Sequence, residues 1–410
     1  MRIRPSKISI KKILIFYVGL GPVFWLGPIE IGYFKALKFL ILITLIVFVG
    51  LNGVVKKNLT HNNTFVAFVV LLFLTSIFGF LQSSIKSIIS VSISYILIFI
   101  VSWIFYSYFR KKNQDDILEI FLKATRIVAY ISGFIIINHF IQLVDWKYIS
   151  EGTRSYSHLV KLADTGFSTG RTAWSNGLAL YFIVAIYAFF ILKKKQFLYY
   201  AIMIFTTQVL SGGRGGILIS FLIITFYVFS RINFKWILII ILSISTLIIT
   251  NQEYLKKRFR LNKLEKNDGD ALNKFTAGRL GHFSFAFENI GDDFNYVKGN
   301  GFLKDENKID DIDIHFLWLK KMLEGGVIFL SIYVLFIIVF MVRMVNLLRK
   351  DSKHLIFIHI FLGGLITTLF EPNAIFGSLQ SSLLWWAALS AVESIRISDK
   401  TQLKKQKTII

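Results

Sequence analysis

The sequence predicts an all-α, polytopic helical membrane protein. Three observations carry that expectation. Apolar runs of about 15 to 23 residues recur along the chain, each the length a helix needs to cross hydrocarbon. Of 410 residues, 55% are apolar and 17% charged, against roughly 25% charged for an ordinary soluble domain. The charges are also ordered, because short Lys/Arg clusters fall between alternate apolar runs. The chain has no cysteine, which excludes disulfides, thiolate metal sites and a Cys nucleophile. The net charge of +23 belongs to the flanks of the runs and does not call for a nucleic-acid partner.

A basic head (Arg2, Arg4, Lys7, Lys11, Lys12) precedes the first run, at residues 13–33, which Pro22 and Pro28 interrupt. No small-residue cleavage site follows it, so it is read as a retained span. Further runs occupy residues 36–55, 65–81, 88–108, 117–144, 174–192, 197–210, 216–230, 236–250, 315–342, 355–370 and 375–391, about twelve spans in all. Basic clusters end alternate spans. They are Lys56 with Lys57, Arg110 with Lys111 and Lys112, Lys193 with Lys194 and Lys195, Arg231 with Lys235, the group from Arg343 to Lys353, and a tail with Arg396, Lys400, Lys404, Lys405 and Lys407. By the positive-inside rule these connections are cytoplasmic. The remaining short connections are nearly free of Lys and Arg, with Lys35, Lys86 and Arg214 as exceptions.

Residues 1–410 thus read as one membrane domain with two longer outer loops, 145–173 and 251–314. The first part of the second loop, residues 251–279, is basic. Long loops cross regardless of charge, so its basicity points to an anionic ligand at the outer surface.

Four motifs gather on that face. Residues 211–216 read Ser-Gly-Gly-Arg-Gly-Gly between two spans. Glycines let backbone approach a ligand, the N–H groups of a helix start suit an anion, and Arg214 can fork onto a phosphate. The competing reading is a tight turn with a snorkelling arginine. Gly170-Arg171-Thr172-Ala173-Trp174-Ser175-Asn176-Gly177 leads into the next candidate, with Arg171 at the interface and Asn176 about a turn inside; an ordinary Arg/Trp anchor competes. In the long loop, Gly278-Arg279 precedes Gly299-Asn300-Gly301-Phe302, and Arg258 and Arg260 add charge. His315 stands where that loop meets a span, before Glu324-Gly325-Gly326, and imidazole can take a proton from a hydroxyl. No His/Glu cluster has metal-ligand spacing, and no Walker-type or dinucleotide fingerprint occurs, so no cofactor is expected.

In their order and shared sidedness these motifs resemble the O-antigen ligase and polymerase (WaaL/Wzy) family. The resemblance covers roughly residues 165–330 and rests on Arg214, Arg279, residues 299–302, His315, Glu324 and Gly326, with a looser match at Arg171 and Asn176. Two positions depart from the family pattern: Phe316 follows His315 where Asn is more usual, and Gly213 precedes Arg214 where Ser is more usual.

The resemblance implies a metal-independent, inverting glycosyl transfer at the outer face of a bacterial cytoplasmic membrane. The donor would be a glycan on undecaprenyl diphosphate, lying among membrane lipids. His315 would be the base, with Arg214 and Arg279 meeting the leaving diphosphate. Arg171, Asn176, Arg258 and Arg260 would bind substrate. A polymerase of repeat units is favoured over a ligase that moves finished polymer to lipid A core. A chain-length regulator and a flippase are the implied protein partners. A flippase or other secondary transporter is the alternative of another class. It is disfavoured because mid-span charges are scarce and no internal repeat is visible.

Overall fold

The computed structural model describes residues 10–21, 42–44, 74, 76–81, 83–142, 171–211, 213–229, 287–288, 290, 294–302, 308–309, 312–313, 316–349, 351–369, 371, 375 and 379–407. Among them the regular structure is helical, apart from a small antiparallel hairpin, β1 (Lys308–Ile309) with β2 (Ile312–Asp313). The helices are α1 (Ile10–Gly19), α2 (Ile77–Phe80), α3 (Ile85–Phe109), α4 (Gln114–Gln142), α5 (Arg171–Phe190), α6 (Gln196–Ser211), α7 (Arg214–Phe229), α8 (Leu317–Leu348), α9 (Leu355–Thr367) and α10 (Leu379–Lys407). The expected all-α class therefore holds.

Ile85–Phe109, Gln114–Ile137 and Leu317–Leu348 are long and apolar enough to cross a membrane, and Trp174–Phe190, Gly215–Val228 and Leu355–Thr367 are shorter apolar helices. The expected run at 236–250, nearly all of 36–55, and the loop stretches 145–170 and 251–286 lie outside the described residues.

Local sequence sets the starts. Ser84 caps α3, its Oγ accepting the Ser87 N–H at 3.3 Å. Asn113 does the same for α4, accepting the Asp116 N–H at 2.7 Å, and Asp115 and Asp116 place negative charge in the positive first turn. The last helix runs farther than expected. The sequence reading ended that span at residue 391 with a basic tail, whereas α10 continues to Lys407. The reason is pairing: Glu393 is fully buried, accepts from Arg343 of α8 at 2.7 Å, and is also bridged by Arg396 one turn on.

The bundle is organised around α5, which touches α4, α6, α7, α9 and α10. Residues 174–188 are buried on every side, as a helix without a polar face must be. Peripheral helices instead turn apolar stripes outward. On α3, Ile85, Ile89, Ile93 and Ile96 are about half or more exposed and recur on one helical face; on α7, Leu218, Phe221, Leu222 and Phe226 do the same. Such stripes suit a hydrocarbon surround and would be a liability in water.

Contacts sort the connections onto two ends. At one end Lys11 bridges Asp116 at 3.2 Å and Glu119 at 2.5 Å, Lys353 lies 3.7 Å from Asp115, and the Tyr187 hydroxyl donates to Lys353 O at 2.9 Å. A cleft of about 450 Å³ opens there, lined in part by Asn113, Asp115, Asp116, Glu119, Lys194 and Lys353. At the other end Leu317 N and Trp318 Nε1 donate to the carbonyl and hydroxyl of Thr368 at 3.1 and 2.9 Å, which joins the start of α8 to the end of α9. Among the described residues, the first end carries the connections at 110–113, 193–195 and 351–354, and the second carries the starts of α5, α7 and α8.

Candidate functional site

The Ser-Gly-Gly-Arg-Gly-Gly turn is clamped to the first turn of α5 by a buried polar knot. Ser175 Oγ donates to Gly213 O at 2.8 Å, and Gln208 Nε2 donates to Ser175 O at 3.0 Å. Ser220 Oγ donates to Gln208 Oε1 at 2.8 Å, while Ser211 Oγ donates to Gln208 O at 2.7 Å and accepts the Gly213 N–H at 3.3 Å. All four side chains are at most 1% exposed. Gly216 is required by closeness, since a Cβ there would overlap the carbonyl and hydroxyl of Ser175. The sequence left a ligand approach and a tight interhelical turn both open for these glycines; this one lies against Ser175 of α5.

The result is two helix starts side by side. Arg171 is the first residue of α5 and Arg214 the first of α7. Their positive dipole ends share one end of the bundle. About a turn into α5, Asn176 is 2% exposed, and neither its Oδ1 nor its Nδ2 has a hydrogen-bond partner among the described residues. The α9 helix runs antiparallel to α5, with Tyr187 reaching Lys353 and Gly363 lying against Ile183 and Leu180. Continuing that register brings Thr367, and with it the start of α8, to the level of Asn176 within about a turn.

A second constellation surrounds the break in α8. Gly326 has φ 73° and ψ −174°, so the helical ladder stops there. Residues 296–301 take the ladder over. Asn300 N donates to Leu323 O at 2.6 Å, Gly301 N to Glu324 O at 3.1 Å, and Val327 N to Tyr296 O at 2.7 Å. In an unbroken helix Val327 N would donate to Leu323 O; the loop sits between the two. Gly299, at φ 67°, makes the turn, and a Cβ on it would meet Leu323 O at 2.6 Å. Phe302 then enters the bundle, its N–H donating to Ser83 Oγ at 2.6 Å and its ring 5.2 Å from Phe80 and 5.8 Å from Phe329. The Gly-x-Gly-Phe motif is thus a docking device for the long loop.

Charge is buried at the same place. Glu324 is 2% exposed, with Lys321 Nζ at 2.6 Å and Lys320 Nζ at 3.8 Å. The Lys321 ammonium also lies 5.7 Å from the Phe302 ring centroid. Sequence reasoning noted Glu324 as a motif position and passed over both lysines. The signal was present: charges at i, i+1 and i+4 next to a long apolar run are costly unless they pair.

Of the expected site residues, the structure brings together the helix starts at Arg171 and Arg214 with Asn176. The guanidinium groups of Arg171 and Arg214, and all of Arg258, Arg260, Arg279 and His315, lie outside the described residues. Among the described residues no group of three His, Cys, Asp or Glu side chains could hold a metal ion. Comparison with protein-family models finds no match, and comparison with the curated proteins finds none either.

What the arrangement can do follows from its parts. Paired helix starts bearing arginines suit a multiply charged anion, and a buried amide beside them offers both a donor and an acceptor.

Proposed function

We propose that this chain is a multispan glycosyltransferase of a bacterial cytoplasmic membrane. It has about twelve spans, a cytoplasmic N-terminus and its site on the outer face. It joins oligosaccharide repeat units carried on undecaprenyl diphosphate into polymer. The observation that carries the reading is the pairing of the Arg171 and Arg214 helix starts around the buried, unpartnered Asn176 amide.

In the reaction an acceptor hydroxyl forms a bond to the donor's anomeric carbon while the bond from that carbon to the diphosphate oxygen breaks. His315 takes the hydroxyl proton, and the lipid diphosphate leaves as an anion. Arg214 and Arg279, with the helix-start N–H groups, meet the charge as it develops. Arg171, Arg258 and Arg260 hold the anionic substrate. The energy comes from the donor bond, so the chemistry needs no cytosolic nucleotide.

The test is the surface glycan of a strain carrying Arg214→Ala, Arg279→Ala or His315→Ala. Each variant is expected to reach the membrane and lose polymer, with one-repeat lipid intermediates accumulating. Long polymer that stays on the carrier lipid would make the enzyme a ligase, and normal chain lengths would end the glycosyltransferase reading.

A further inference from the structure

The polar knot at the α5–α7 junction is satisfied everywhere except at one side chain. Ser175, Gln208, Ser211 and Ser220 all have partners at 2.7 to 3.0 Å, whereas both polar atoms of Asn176 have none among the described residues. A buried amide without partners is destabilising, and a leucine of similar size would fill the same space without that penalty. The adjacent Ser175 lies against Gly213 and Gly216, which puts Asn176 level with the start of α7. An unmet amide at that level is suited to a group that comes from outside the chain.

The chemistry of the amide narrows what that group is. Asn offers one acceptor oxygen and two donor hydrogens. A diphosphate near neutral pH presents mainly acceptors, so it can satisfy Nδ2 and leaves Oδ1 facing negative charge. A group that both donates and accepts, a sugar hydroxyl or an acetamido, satisfies both atoms at once. In a glycosyl diphosphate such a group is close at hand, because the substituent on the sugar carbon next to the anomeric carbon adjoins the diphosphate. An anion held at the helix starts therefore brings that substituent to the same level.

We infer that Asn176 is a specificity-determining residue that reads the first sugar of the lipid-diphosphate donor through a group able both to donate and to accept. The inference rests on the glycosyltransferase reading above. It divides the labour within the site: arginines and helix starts hold the diphosphate, and Asn176 selects the sugar attached to it.

The experiment compares two ligands on the full-length protein in nanodiscs, undecaprenyl diphosphate and the same lipid bearing its first sugar. Asn176→Leu is expected to bind the sugar-free lipid like the wild type and the sugar-bearing lipid about tenfold or more weakly. Its melting temperature is expected to equal or exceed the wild type's, which a structural asparagine would not allow. Asn176→Ala gives the same comparison should the Leu variant fail to fold. Equal weakening for both lipids would overturn the inference by assigning Asn176 to the diphosphate, and unchanged binding of both would overturn it by removing Asn176 from the site. In either case the paired helix starts, and binding of the sugar-bearing lipid by the wild type, still support the glycosyltransferase reading. A wild type that binds neither lipid removes that reading and the inference with it.

Discussion

At the scale of single residues, Glu324 holds together the buried charges where residues 296–302 dock on α8. It is 2% exposed and neutralises lysines that are 4% and 6% exposed. Replacing it with leucine leaves two ammonium groups without that carboxylate, and breaking such a buried pair typically costs about 3–5 kcal/mol. Glu324→Leu is therefore expected to lower the thermal unfolding temperature of detergent-purified protein sharply. Adding Lys320→Met and Lys321→Met should restore most of the loss, since apolar replacement of a whole buried ionic group is often neutral. Restored stability without restored polymer would show that the charges serve the site as well as the fold.

Gly216 and Gly326 are the corresponding backbone cases. At Gly216 the requirement is space against Ser175, and at Gly326 it is a positive φ that other residues rarely adopt.

At the scale of elements, α8 and residues 296–301 share one set of backbone hydrogen bonds. Leu323 O and Val327 N can bond to each other, or they can bond separately to Asn300 N and Tyr296 O. The docked state needs Gly326 at φ 73° next to the Val297 carbonyl. Gly326→Ala adds strain of about 1–3 kcal/mol to that state and favours the continuous helix. The expected result is faster proteolysis near residues 296–302 with the rest of the bundle intact, read by mass spectrometry of the fragments. Unchanged cleavage would mean that the loop is held by Phe302 alone. On the α5–α7 side, Gly216→Leu is expected to part the two helix starts and abolish polymer, and Ser175→Ala to weaken it less.

At the scale of the whole molecule, contacts divide the connections between two ends. Lys11, Asp116, Lys194 and Lys353 gather at one, and Ser83, Phe302, Thr368 and the 211–216 turn belong to the other. Cysteines placed singly in this cysteine-free chain test the orientation directly. Positions in 251–314 should label with a membrane-impermeant maleimide in intact cells, and positions near Lys194 should label only after permeabilisation. The reverse pattern would put the site in the cytoplasm and exclude an outer-face donor.

Much of this was legible in the chain itself. The all-α class and the bounds of α3 to α7, within a few residues, follow from the lengths of the apolar runs, because backbone in hydrocarbon must satisfy itself locally. The grouping of connections follows from where Lys and Arg fall, a property each short segment carries on its own.

What only the tertiary structure decided is how polar groups are matched. Ser175 meets Gly213 across 38 residues, Phe302 meets Ser83 across 219, and Arg343 meets Glu393 across 50. No periodicity reports such pairs, since each depends on helix order and register. For the same reason Asn176 read in sequence as a substrate-binding residue about a turn inside the interface, but only the fold shows its amide buried next to Ser175 of the knot, with no partner among the described residues. The continuation of α10 past residue 391, and the exchange of hydrogen bonds at Gly326, were likewise set by partners distant in the chain.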